Sequence, residues 1–115
     1  MVSNVFSVSG RGLRDWIWQR LSAVILLVYT LFLVLWSVLH QPLNFEIWRA
    51  LFTALPMKIA TSLCVLSLVL HAWIGVWTIV TDYIACYGLR IVAHSAVIIA
   101  LASYWLWGNA IVWSL

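Results

Sequence analysis

The chain has 115 residues, 66% of them hydrophobic, with only six basic and three acidic side chains. A soluble domain of this length carries charge on about a quarter of its residues, so a water-covered surface is excluded. Six cations scattered along the chain form no nucleic-acid-binding patch, and the length allows one domain, 1–115.

In chain order, Leu13, Trp16, Ile17 and Arg20 recur at helical spacing. They predict a short N-terminal amphipathic segment lying at a membrane surface. The charged residues that follow cut the chain into three apolar runs: Leu21 to Leu39, Ile59 to Thr81, and the stretch after Arg90, with a third span over about 91–113. A helix needs about 20 residues to cross the hydrocarbon core, and a spanning segment must satisfy its own backbone hydrogen bonds. The expected fold is therefore an all-α integral membrane protein with three transmembrane helices and a short amphipathic lead-in. The first run is too long for a signal-peptide core, and no small-x-small cleavage site follows it before His40. It is expected to be a retained helix.

Arg11, Arg14, Arg20 and Arg90 fall on one side of this arrangement, Arg49 and Lys58 on the other. The excess of positive charge predicts a cytoplasmic N-terminus and a C-terminus outside. Trp105, Trp107 and Trp113 suit interfacial anchoring of the third helix. Cys64 and Cys86 fit no metal-ligand spacing, and both are expected to be structural.

The middle run carries the chemistry. With His71 as angular origin and about 100° per residue, Cys64, Ser67, Gly75, Thr78 and Asp82 all lie within about 40° of it. Such a polar and small-residue stripe should face protein, not lipid. An ionisable side chain in a span is a functional candidate by default, and its uses there include proton relay, metal ligation and haem ligation. The bland alternative for His71 is a hydrogen bond to a neighbouring helix. Asp82 lies about 16 Å further along the axis, at the expected membrane boundary, and the adjacent Tyr83 has a phenol that can donate a hydrogen bond there. In the first helix Ser22, Tyr29 and Trp36 share a face; in the third, Ala96, Ala100 and Ser103 form a small-residue packing face. His40 and His94 are expected to be ordinary interfacial residues. Six-coordinate haem needs two axial ligands, and no second histidine lies at the depth of His71, so a haem bound there would draw its other ligand from a partner.

The segment His71-Ala72-Trp73-Ile74-Gly75-Val76-Trp77 followed by Thr81-Asp82-Tyr83, together with the Met1-Val2-Ser3-Asn4 start and an arginine opening the first span, resembles one known family. It is similar to the smaller cytochrome b membrane-anchor subunit of bacterial succinate dehydrogenase, respiratory complex II. The resemblance implies that His71 is an axial ligand of a b-type haem whose other ligand comes from the larger cytochrome b anchor subunit. It implies that Tyr83 hydrogen-bonds a ubiquinone carbonyl and that Asp82 shapes that site or its proton supply. Arg20 would supply a cation for the haem propionates. Electrons would arrive from a flavoprotein subunit through an iron–sulfur subunit, both docked on the cytoplasmic side of the bacterial inner membrane. The chain would be a subunit of an oxidoreductase complex, with no catalytic residue of its own. Two other readings stand beside this one. An anchor of a quinol:fumarate reductase has related architecture. A cofactor-free multispan transporter or accessory protein would be expected to place more polar groups at the midplane, often in broken helices.

Overall fold

The computed structural model describes residues 11–115, with the side chain of Arg11 not described; the Met1 to Asn4 start lies outside these residues. Four helices follow one another: α1 (Arg11–Leu39), α2 (Phe45–Thr53), α3 (Leu55–Tyr83) and α4 (Tyr87–Trp113). No strand occurs among the described residues. α1, α3 and α4 are each long and apolar enough to cross a membrane, in agreement with the expected fold class.

The amphipathic lead-in and the first span are one continuous helix, because nothing between Arg11 and Leu39 interrupts the backbone ladder. At 1.5 Å per residue its 29 residues extend about 43 Å, beyond a hydrocarbon core of about 30 Å. α2 fills the first loop. The Asn44 side chain accepts a hydrogen bond from the Ile47 amide at 2.8 Å and starts this helix, with Glu46 in the first turn complementing its dipole. The chain then turns at Ala54, which is extended (φ −66°, ψ 133°), and Pro56 occupies the first turn of α3, where a missing amide costs nothing.

α3 is the central helix, packing against both α1 and α4 and, more lightly, against α2. The molecule measures 54 × 30 × 21 Å, with the long dimension along the helices. Side-chain polarity is distributed in reverse to that of a soluble bundle. The buried residues include Ser22, Thr61 and Ser67, whereas Leu27, Leu31, Leu35, Leu68 and Ile99 are exposed. Small and hydroxyl-bearing side chains let helices approach closely and bond across the interface, while the apolar exterior is left for lipid and for other membrane helices.

Neighbouring spans run antiparallel. Ser22 and Tyr29 of α1 meet His71 and Thr61 of α3, the Tyr29 and Thr61 hydroxyls lying 2.7 Å apart. Trp36, on the same face of α1, packs against Trp48 of α2 (ring centroids 5.7 Å apart). Along α4 the packing face runs through Ala93, Val97, Leu101, Gly108 and Val112, all at least half-buried. Ala100 is half-buried, but Ala96 and Ser103, expected on that face, are exposed. A Cβ at Gly108 would touch both methyl groups of Val65, at 3.4 and 3.5 Å. Trp113 donates from its indole nitrogen to Ser62 Oγ at 2.8 Å, with Lys58 Nζ 5.7 Å above its ring. Trp105, Trp107 and Trp113 are all exposed.

Candidate functional site

His71 lies near the middle of α3 and is half-buried. Its Nδ1 is 3.2 Å from Ser22 Oγ of α1. The Ser22 hydroxyl also donates to the Gln19 carbonyl one turn earlier, at 3.1 Å, and Ser22 is only 2% exposed. One turn beyond His71, Gly75 faces the Gln19 amide: a Cβ there would meet only Gln19 Nε2, at 4.0 Å. Gln19 Oε1 is buried without a hydrogen-bond partner among the described residues. His71 Nε2 likewise makes no hydrogen bond among the described residues. The α3 stripe is thus split in its surroundings. Ser67 is buried, Cys64, His71 and Gly75 are half-buried, and Thr78 and Asp82 are exposed.

Asp82 and Tyr83 are the last two residues of α3. Tyr83 is 82% exposed, and its phenol makes no hydrogen bond among the described residues. The end of α3 is tied down by Arg90 of α4. Its Nη2 donates to the Thr81 carbonyl at 3.0 Å and its Nε to the Ile84 carbonyl, occupying acceptors that a helix C-terminus leaves open. The cation expected to set membrane sidedness therefore also holds the backbone on both sides of Asp82-Tyr83. Arg20 is exposed on α1, its guanidinium 5.4 Å from the Trp16 ring centroid. No hydrogen bond or ion pair joins His71, Asp82, Tyr83 and Arg20 to one another among the described residues. These four lie on the same half of the molecule, because the start of α1 runs beside the end of α3.

The histidines outside the centre behave differently from each other. His40 is exposed, stacked on Trp36 at 4.2 Å, with Nδ1 2.9 Å from the Trp36 carbonyl, as an interfacial residue should be. His94 is not a simple surface residue. It stacks on Trp77 at 4.3 Å and 5°, meets Trp73 edge-on at 5.7 Å, and has a buried Nε2 with no partner among the described residues. Trp73 and Trp77, with Ile74 and Asp15 of α1, line a hollow of about 200 Å³. A hollow of about 640 Å³ lies at the other end of the molecule among Ile25, Val28, Tyr29, Phe32, Met57 and Leu63. Its lining is apolar apart from Tyr29, whose hydroxyl is engaged by Thr61. Cys64 and Cys86 are both free, and no cluster of three or more metal-ligating side chains occurs among the described residues.

Residues 6–111 match the succinate dehydrogenase/fumarate reductase transmembrane subunit family. The chain belongs to that family. It is 38% identical over 105 residues to the succinate dehydrogenase hydrophobic membrane anchor subunit of Coxiella burnetii, a match covering 91% of each chain. It is 30% identical over 83 residues to the protein of the same description from Rickettsia bellii, covering 69% of this chain and 63% of that one. The family resemblance carried by the His71 and Asp82-Tyr83 segments is thereby borne out. As a succinate dehydrogenase/fumarate reductase transmembrane subunit, the chain is a multi-pass membrane protein, with α1, α3 and α4 as its spans.

Proposed function

We propose that this chain is the small anchor of a bacterial succinate:ubiquinone oxidoreductase, holding the flavoprotein and iron–sulfur subunits to the cytoplasmic face of the inner membrane. The observation that carries this beyond family membership is the state of His71. It is an imidazole inside a membrane span with Nδ1 engaged by a buried serine and Nε2 making no hydrogen bond among the described residues. A single imidazole near the middle of α3, one turn from a glycine whose Cβ would meet only Gln19 Nε2, suits a flat macrocycle shared between two subunits. His71 would occupy one axial position and a histidine of the larger anchor subunit the other. When bound, the b-type haem supplies a one-electron carrier inside the membrane.

Arg20, exposed about half a turn before Ser22 toward the shared end, would pair with the haem propionates. Tyr83, 82% exposed and with no phenol hydrogen bond among the described residues, would donate a hydrogen bond to a ubiquinone carbonyl. Asp82 beside it would shape that pocket or supply a proton. The remaining walls of the pocket would come from partner subunits. The charge distribution supports an N-terminus and an α3–α4 loop in the cytoplasm, with the C-terminus in the periplasm.

The deciding experiment is a reduced-minus-oxidised optical spectrum of the purified complex, wild type beside His71→Ala. A b-type spectrum that is lost or changes spin state in the variant is expected. Retention of an unchanged six-coordinate haem in His71→Ala would remove the ligand assignment. Because the family covers both directions of the reaction, the ratio of succinate-driven quinone reduction to quinol-driven fumarate reduction identifies the preferred one.

A further inference from the structure

We infer that Ser22 is the positioning residue for His71: its hydroxyl, by accepting a hydrogen bond from Nδ1–H, fixes the tautomer and ring plane that turn the Nε2 lone pair to the haem iron. The inference rests on the proposed role of His71 as an axial ligand.

The hydrogen bonds themselves determine the tautomer. A serine hydroxyl has one hydrogen to give and two lone pairs to receive with. That hydrogen is directed to the Gln19 carbonyl, which can only accept, at 3.1 Å. The second partner of Ser22 Oγ, His71 Nδ1 at 3.2 Å, must then be the donor if both contacts are hydrogen bonds. A neutral imidazole carries a single N–H, so Nδ1–H leaves Nε2 as the site with a lone pair. The opposite tautomer would set an unprotonated Nδ1 against the Ser22 hydroxyl and break the bond to Gln19. At 2% exposure Ser22 has no water to compensate either loss.

The same contact fixes orientation. Ser22 sits within α1, and its bond to the Gln19 carbonyl of the same helix holds the hydroxyl in one rotamer. Gln19 lies over Gly75 one turn further along α3, so α1 touches α3 both at the imidazole and one turn beyond it. The ring of His71 is therefore hinged at Cβ and pinned at Nδ1. Metal-bound histidines typically depend on such a partner for the second nitrogen, and its acceptor strength raises the electron donation of the ring to the metal. Greater donation favours the ferric state.

The test is made in the assembled complex, with the haem midpoint potential and the low-spin ferric EPR signature as readouts. Ser22→Ala should leave a haem that is still bound through His71 but has a higher potential. At the potential where wild type is half reduced, the reduced-to-oxidised ratio should rise by about threefold or more. The low-spin g-values should also broaden as the ring plane is released. Ser22→Thr, which keeps the hydroxyl, should restore both toward wild type. If Ser22→Ala yields no complex, Ser22→Cys takes its place with the same expected direction, since a thiol is a weak acceptor. An unchanged potential and EPR signature in Ser22→Ala or Ser22→Cys overturns the inference and leaves His71 as a ligand. A haem that survives His71→Ala unchanged overturns both.

Discussion

Tyr83 and His71 stand about 18 Å apart on one helix, and their surroundings differ as their proposed tasks do. His71 is half-buried and bonded across a helix interface; Tyr83 is 82% exposed and its hydroxyl makes no hydrogen bond among the described residues. A phenol in that position contributes to this chain's stability only through its ring, which Phe reproduces. Tyr83→Phe should therefore assemble normally and retain the b-type spectrum. Loss of one hydrogen bond to the bound quinone should slow succinate-driven quinone reduction by about tenfold. Wild-type turnover in the variant would remove the hydroxyl from the quinone site. Ser22 was visible in the sequence as part of a face with Tyr29 and Trp36, but its pairing with His71 was not. The two residues are 49 positions apart, and helical periodicity gives a residue's face, never the height at which another helix crosses it. His94 was misjudged for a related reason. Its place four residues after Arg90 suggests an interface near water, while α4 in fact starts earlier, at Tyr87, and brings the ring against Trp77.

At the scale of elements, the apolar runs located all three spans, because charge is what cannot be placed in hydrocarbon. They located the C-terminal ends of α1 and α4, at Leu39 and Trp113, but not the other helix ends. α1 and α3 extend several residues beyond their apolar runs, and α4 begins before its own, since backbone hydrogen bonding continues past the membrane until a cap or proline stops it. α2 was missed altogether. Its signals were local, an asparagine three residues before the amide it caps and an acid in the first turn, and they are weak beside 19-residue apolar runs. The α3–α4 contact depends on Gly108, where a methyl group fits against Val65 and a longer side chain does not. Gly108→Ala should be close to wild type. Gly108→Leu should cost about 1–3 kcal/mol by overpacking, measured as a lower thermal midpoint of the detergent-solubilised complex, and Val65→Ala should recover part of it. Equal stability of the Leu and Ala variants would mean that α4 does not approach α3 at this point.

For the whole molecule, the central place of α3 puts the start of α1, the end of α3 and the α3–α4 loop together at one end. The proposed sidedness then has a direct chemical check, because Cys86 in that loop is exposed while Cys64 is half-buried in the span. A membrane-impermeant maleimide should label Cys86 in inverted vesicles stripped of the soluble subunits and leave it unlabelled in intact spheroplasts. In a Cys86→Ser background, Asn44→Cys in the first loop should give the reverse pattern. Labelling of Cys86 from outside would invert the topology and with it the docking side.

The long-range bond between Ser22 and His71 also has a bearing on biosynthesis. The 49 residues separating them, made at about 5–20 residues per second, take roughly 2 to 10 s to synthesise. During that interval the first span is made without the histidine that its serine bonds in the folded chain. If His71 holds the haem as proposed, the order of synthesis places a delay between the first helix and a positioned imidazole, so cofactor capture would follow synthesis of α3, the third of the four helices.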